Sequence, residues 1–250
     1  SNIPISHVES GLRSNDWRMP EEHNRIVVDH LSELLFAPTK ITKSNLQCEK
    51  VHGKIFVTGN TVIDAINIYS KISRKKSKLS ITSSDFILFT LHRSENVDNK
   101  KILSSIIKGV INSNENIIFP IHPRTKKRLH EFGLYNKLFQ NKNIKILDSV
   151  GYFEILELMK NCIFIVTDSG GIQEEATSPV IRKKVLVVRK TTDRPEAVES
   201  KMAEIVGLDE KNISNSIKKT MKSPKLQSKK TPYGKGDASE KILKILQNNF

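Results

Sequence analysis

The chain has 250 residues, 37% of them hydrophobic, and a formal net charge of +14. That is enough apolar material for one large domain or two small ones, and no apolar run approaches the roughly 18 residues that read as a membrane span. Cys48 and Cys162 stand in unrelated contexts with no CxxC, which argues against a disulfide scaffold or zinc ribbon and fits a reducing, cytoplasmic setting. The charge does not make a nucleic-acid binder: residues 211–250 alone hold ten Lys against two acidic residues, and aromatics are not interleaved with the basic residues. A positive field that draws in an anionic small molecule is the more economical reading.

In chain order, residues 3–8 predict a short strand followed by a polar loop, 9–16. Pro20 opens a helix, because its fixed φ suits a first turn, and Glu21 and Glu22 complement the positive helix end. Val27, Leu31, Leu34 and Leu35 are expected to form that helix's apolar face. A strand is expected over 54–58, then a helix over 61–72, a polar basic loop over 73–84, and strands over 86–91, 117–121 and 144–147. The apolar spacing of Ile102, Leu103, Ile106, Ile107, Val110 and Ile111 predicts an amphipathic helix. Helices are also expected over 125–132, 152–159 and 209–222, and strands over 162–166, 185–188 and 203–206. Asp237-Ala238-Ser239-Glu240 has capping-box spacing before a last helix. Alternating strands and helices from residue 54 to about 206 predict a doubly wound, mostly parallel α/β sheet.

Four polar clusters fall at predicted strand ends, where α/β folds place ligands: 9–13, 92–96, 122–124 and 168–171. The last is Asp168-Ser169-Gly170-Gly171, between an apolar run and a helical one. Free backbone N–H groups at such a helix start suit a phosphate, and glycines let it approach the backbone. An ordinary strand-to-helix turn explains the same residues. Glu175, one turn on, is placed to accept from ribose hydroxyls, or is a surface Glu. Helix-dipole chemistry alone explains Glu21. His92 and His122 read equally as polar strand-end residues. His23 and His30 share a helical face but have no third ligand spaced with them, so no metal site is expected.

Six ordered motifs carry a resemblance: His7-Val8-Glu9-Ser10-Gly11-Leu12-Arg13, Pro20-Glu21-Glu22-x-Asn24-Arg25, Thr58-Gly59-Asn60-Thr61-Val62-Ile63-Asp64-Ala65, Leu91-His92-Arg93-x-Glu95-Asn96, Asp168 to Ala176, and Thr191-Thr192-Asp193-Arg194-Pro195-Glu196. Together they resemble the non-hydrolysing UDP-N-acetylglucosamine 2-epimerases over essentially the whole chain. The resemblance implies a glycosyltransferase-B-like α/β fold of two Rossmann-like domains, the first one truncated. Residues 1–56 would be the remainder of that first domain, 57–228 the UDP-binding domain, and 229–250 a connector and helix crossing back to the first.

It further implies an isomerase that interconverts UDP-GlcNAc and UDP-ManNAc by expelling UDP to leave 2-acetamidoglucal and re-adding it. Glu9 and Glu21 would be catalytic carboxylates, with His92 beside the diphosphate. Ser169, Gly170 and Gly171 would cradle that diphosphate, Glu175 would hold the ribose and Arg194 would be a further substrate-side group. His92, Arg93 and His122 match positions that contact a second, activating UDP-GlcNAc in bacterial members. The implied partners are a UDP-sugar and a second copy of the chain, with no metal or redox cofactor, nucleic acid or membrane. A hydrolysing epimerase that releases ManNAc and UDP, and a truncated, non-catalytic UDP-binding module, are the alternatives. Lys190, the turn Ser200-Lys201-Met202 and the basic run Ile181-Arg182-Lys183-Lys184 depart from the family pattern.

Overall fold

A computed structural model describes residues 3–17, 19–81, 84–224, 226, 228 and 230–249. The chain forms two compact units, residues 1–68 with 230–250, and residues 69–229.

The first unit holds β1 (Ser6–Val8), α1 (Pro20–Leu31), β2 (Leu34–Ala37), α2 (Lys40–Cys48), β3 (Lys54–Val57) and α3 (Thr61–Tyr69). Its strands form a parallel sheet in the order β1-β2-β3. Strand β2 is a continuous apolar run because both its faces are covered. Leu34 and Phe36 point to one face, against Ile242, Ile245 and Leu246 of the last helix. Leu35 and Ala37 point to the other, against Leu46 of α2.

Two expectations need correction here. Leu34 and Leu35 belong to β2, not to α1, and Val27 and Leu31 are 57% and 59% exposed. The residues α1 buries fully are Glu22 and Asp29, two turns apart on one face. Polar ties, not an apolar stripe, fix that helix.

The second unit continues with α4 (Ser73–Lys76), β4 (Ile87–Thr90), α5 (Ser94–Val97), α6 (Lys100–Ile111), β5 (Ile117–Pro120), α7 (Pro123–Glu131), α8 (Tyr135–Phe139), β6 (Ile144–Leu147) and α9 (Tyr152–Asn161). It ends with β7 (Ile165–Thr167), α10 (Gly170–Ala176), β8 (Val185–Val187), α11 (Pro195–Glu199), β9 (Ala203–Ile205) and α12 (Glu210–Lys222). The six strands are all parallel, in the order β6-β5-β4-β7-β8-β9. The chain runs outward from β4 in one direction and resumes at β7 in the other, so the order reverses between these two strands. Crevices at such reversal points, outside the strand C-termini, are where α/β sheets bind ligands. Phe89, Phe119, Phe164 and Leu186 lie in a core that α6 and α12 close with Ile106, Ile107, Ile213 and Ile217.

The stretch read as a basic loop contains the one-turn α4, and α8 was not foreseen; both are short, with four and five residues. The final helix, α13 (Ala238–Asn249), returns to the first unit. Its first amides, of Ala238 and Ser239, donate to Asp64 of α3 at 3.2 and 2.8 Å, so its N-terminus is capped from another helix. Among the described residues, no helix is long and apolar enough to cross a membrane.

Candidate active site

At the end of β1, the loop carrying Glu9 is held by a network of charges. Glu9 has φ 70°, in the left-handed region that a residue with a Cβ enters at a cost of about 1–3 kcal/mol. Strand pairing leads into this turn, and Ser10 N donates to Phe36 O at 3.2 Å just after it. The Glu9 carboxylate accepts from Asn60 Nδ2 at 3.2 Å. Asn60 is itself fixed, donating from its backbone to Tyr233 O and accepting from Val62 N.

The two neighbouring carboxylates at the start of α1 have different surroundings. Glu22 is 1% exposed and accepts from the amides of Ser14 and Asn15, from the Ser14 hydroxyl, and lies 3.6 Å from Arg25. Burial opposes its ionisation, but those donors win and hold it below the usual glutamate range. Glu21 is exposed. The buried partner fixes the loop, and the exposed one is available to a ligand.

In the second unit, Asp168 organises the reversal point. It is fully buried after β7 and accepts from His92 N at 3.1 Å, Arg93 N at 2.8 Å and Asn96 Nδ2 at 3.1 Å, so it ties the loop after β4 to the loop after β7. The strands themselves are joined there by the Thr90 and Thr167 hydroxyls, 2.6 Å apart. His92 Nδ1 lies 3.4 Å from Asp168 Oδ1. Burial pushes the Asp168 carboxyl up and lowers the His92 imidazole, against the opposing pull of each on the other.

The turn that follows opens α10 at Gly170, where the first amides of a helix lack intrahelical partners. Ser169 caps α10, its hydroxyl accepting from Ile172 N at 3.4 Å. A Cβ at Gly170 would meet Asp193 and Arg93 at 3.4–3.5 Å, ordinary contact, and one at Gly171 would meet only the Ser169 hydroxyl at 3.9 Å. Packing within the protein therefore does not demand either glycine, which leaves room for a group to approach this backbone closely. Beside the turn, Arg93 Nε is buried with no hydrogen-bond partner among the described residues. A cationic donor with an open hydrogen-bonding position next to helix-start amides is the chemistry of an anion site.

Glu175 lies one turn into α10, where burial pushes its carboxyl up to about 7 and the Tyr152 hydroxyl hydrogen-bonds to it. Arg194 is 5% exposed, with Nε 2.7 Å from Glu174 and NH1 3.0 Å from Asp193. Asp193 in turn holds Arg189 at 2.9 Å. The loop after β8 is thereby bolted beneath the Ser-Gly-Gly turn. His92 and His122 have ring centres 5.8 Å apart and line a cavity of about 190 Å³ with Thr90, Ile121, Ser149 and Ile172. His122 also caps α7, its Nδ1 accepting from Arg124 N at 3.2 Å.

The structure thus gathers His92, Arg93, Ser169, Gly170 and Gly171 at one reversal point of the second unit. Glu9 and Glu21 lie in the first unit. Sequence reasoning did not identify Asp168, Asn60, Glu22, Asp29 or Tyr152 as supports of these residues. Asp168 stood inside a quoted motif, and the seven-residue spacing of Glu22 and Asp29 was a readable signal. Of the departures from the family pattern, the basic run has local partners: Lys183 Nζ donates to Cys162 O at 2.6 Å, and Lys184 pairs with Glu204 at 2.9 Å.

Comparison with known proteins places this geometry. The family model for UDP-N-acetylglucosamine 2-epimerase matches residues 1–247. The UDP-N-acetylglucosamine 2-epimerase of Methanocaldococcus jannaschii is 45% identical over 98% of the chain and 69% of its own length. Its crystal structure, in complex with UDP-GlcNAc and UDP, superposes with a TM-score of 0.90 over 99% of this chain and 70% of that one. The Neisseria meningitidis enzyme bound to UDP-GlcNAc is 34% identical, with a TM-score of 0.87 over 99% of this chain and 70% of that one. A Pseudomonas aeruginosa relative, 34% identical over 98% of the chain and 68% of its own length, is a UDP-2,3-diacetamido-2,3-dideoxy-D-glucuronate 2-epimerase. The α/β fold with parallel sheets is of the glycosyltransferase-B-like kind these structures share.

Proposed function

From the premise that the chain belongs to the UDP-N-acetylglucosamine 2-epimerase family, an isomerase family, we propose that it interconverts UDP-GlcNAc and UDP-ManNAc without net hydrolysis. The observation that carries this reading is the likeness, at 44% identity and a TM-score of 0.90, to a structure holding UDP-GlcNAc and UDP.

The C2–H of the sugar is not acidic, and no single base reaches both faces of that carbon. Elimination eases the problem. A carboxylate takes the C2 proton, the electron pair forms a C1=C2 double bond, and the C1–O bond breaks with UDP leaving. Re-addition of UDP at C1, with a proton delivered to C2 on the other face, gives the epimer. We assign proton transfer to Glu9 and Glu21, since carboxylates on opposite faces meet this need. Glu9's strained backbone and its hydrogen bond from Asn60 support the assignment.

Ser169, Gly170 and Gly171 hold the departing diphosphate in this account, supported by the room at both glycines and the unpaired Arg93 Nε. A diphosphate beside His92 opposes the effect of burial and favours the imidazolium, so His92 gains a proton where negative charge accumulates. Glu175 receives the ribose hydroxyls. Arg194 acts on the substrate side through the turn it braces. A second UDP-GlcNAc near His92, Arg93 and His122, and assembly as a cytoplasmic homodimer serving polysaccharide synthesis, complete the proposal. The route uses no metal or redox cofactor.

Product analysis after incubation with UDP-GlcNAc tests this. UDP-ManNAc with traces of 2-acetamidoglucal and UDP is the expected result. Free ManNAc with stoichiometric UDP would make the protein a hydrolysing epimerase. Bound UDP with no turnover would make the chain a binding module, and turnover only of the diacetamido-glucuronate nucleotide would move its substrate.

A further inference from the structure

The loop bearing Glu9 is pinned on both sides by one side chain that lies off the reaction path. Asp29, on α1, is fully buried. Its Oδ1 is 2.6 Å from His7 Nδ1, and its Oδ2 accepts from Gly11 N at 3.1 Å and Arg13 NH2 at 2.7 Å. These donors stand two residues before Glu9, two after it and four after it. Arg13 is anchored from its other side, with Nε and NH2 donating to Glu49 at 2.7 and 2.6 Å and NH1 donating to Leu12 O. Gly11, at φ 78°, presses the loop against α2, where a Cβ would stand 2.3 Å from Thr42 O. Between these fixed points Glu9 has no freedom to relax out of its left-handed conformation.

We propose that Asp29 is a positioning residue for Glu9: by tying His7, Gly11 and Arg13 to one carboxylate, it holds the Glu9 backbone where its side chain meets the sugar. The proposal rests on the reading of Glu9 as a proton-transfer group. Being fully buried, Asp29 touches no substrate and acts only through the loop. A charge serves here because one carboxylate accepts three donors at once. Asparagine has the same shape but one acceptor oxygen and a donating amide, so it satisfies only part of the set. Slight misplacement of a catalytic group is costly, on the order of a hundredfold in rate for about 1 Å.

The test compares Asp29→Asn, Glu9→Gln and Asp64→Asn in the native polypeptide that carries this chain. Asp64 caps α13 in the same unit and has no part in the loop. For Asp29→Asn the expected result is a kcat at least about tenfold lower with KM for the UDP-sugar within about twofold, because ground-state binding is untouched. Asp64→Asn is expected to lose thermal stability and keep the wild-type kcat. Wild-type kcat in Asp29→Asn, or a loss that Asp64→Asn reproduces at matched stability, overturns the proposal and leaves the reading of Glu9 standing. Wild-type kcat in Glu9→Gln overturns that reading and the proposal with it. Should Asp29→Asn fail to fold, His7→Asn removes one tie at a partly exposed residue. It is then expected to lower kcat several-fold at constant KM, and an unchanged kcat would overturn the clamp.

Discussion

The two units prepare their loops by opposite means. In the first, buried charged side chains of α1 grip a loop and hold Glu9 in a strained conformation. In the second, Asp168 gathers the backbone amides of the neighbouring loop, and the Ser169 turn keeps an ordinary φ of −79°. The first arrangement fixes one side chain and stores strain to do so. The second fixes a stretch of backbone and sets a helix start beside an Arg93 Nε that has no hydrogen-bond partner among the described residues. A proton must be taken from a defined direction, so a base needs a rigid carrier. A diphosphate spreads its charge over several oxygens, so its site needs many donors held in place beforehand. On the proposed reading, the difference between the units is the difference between those two tasks.

The comparison breaks most visibly at Glu9. Glu9→Gln is expected to lower kcat by about 10²–10⁴-fold, the usual contribution of a general acid or base, with UDP affinity by calorimetry unchanged. If UDP affinity falls with the rate, the division of labour is wrong.

Asp168→Ala comes next and is a stability effect. It removes the acceptor for two amides and the Asn96 side chain in a fully buried position. The expected loss is about 3 kcal/mol in denaturant unfolding, since buried bonds to charged groups contribute about 1.5–3 kcal/mol each and the orphaned donors add their own penalty. A loss under about 1 kcal/mol would mean that the reversal point is held by something else.

Gly170→Ala separates ligand from packing. The neighbouring atoms lie at ordinary contact distance, so stability should move by no more than about 0.5 kcal/mol. UDP binding should weaken by about tenfold or more, roughly 1.4 kcal/mol. Unchanged UDP affinity would remove the turn from the diphosphate site.

The smallest effect is one of pH. Glu175 titrates near 7 because burial disfavours its ionised form. Ribose hydroxyls donate better to a carboxylate than to a carboxylic acid, so UDP should bind about tenfold tighter at pH 8 than at pH 6. Subtracting the profile of Glu175→Gln removes the contribution of UDP's own ionisation. The folded-state value lies above the 4.5 of an ordinary glutamate, so this group's ionisation lowers stability as pH rises from about 4.5 to 7. A pH profile identical in Glu175→Gln would show that another group titrates.

Most strands were readable from the sequence because a parallel sheet covered on both faces writes itself as short apolar runs, as in residues 87–90 and 185–187, whereas the run 34–37 was merged into the helix before it. The polar strand ends were readable for the same reason. The register of α1 was not, because the helix buries Glu22 and Asp29 and exposes Val27 and Leu31, which inverts the pattern that periodicity looks for. Buried carboxylates become intelligible only once their donors are placed: His7 and Arg13 lie 22 and 16 residues from Asp29, and the loop of His92 and Arg93 lies about 75 residues from Asp168. The motifs therefore contained supports such as Asp168, Asn60 and Glu22 beside the candidate ligand groups, but their supporting role shows only once the fold places their donors. Helices α4 and α8, with four and five residues, are too short to show a period.

In the proposed reaction, C2 of a UDP-sugar exchanges its proton while UDP stays at the second unit. Incubation with UDP-GlcNAc in deuterated water, read by mass spectrometry and proton NMR of the recovered nucleotide sugars, tests it most directly. Deuterium is expected at C2 of both epimers, appearing at the rate of epimerisation and suppressed by Glu9→Gln. Epimers formed with the original hydrogen still on C2 would contradict it.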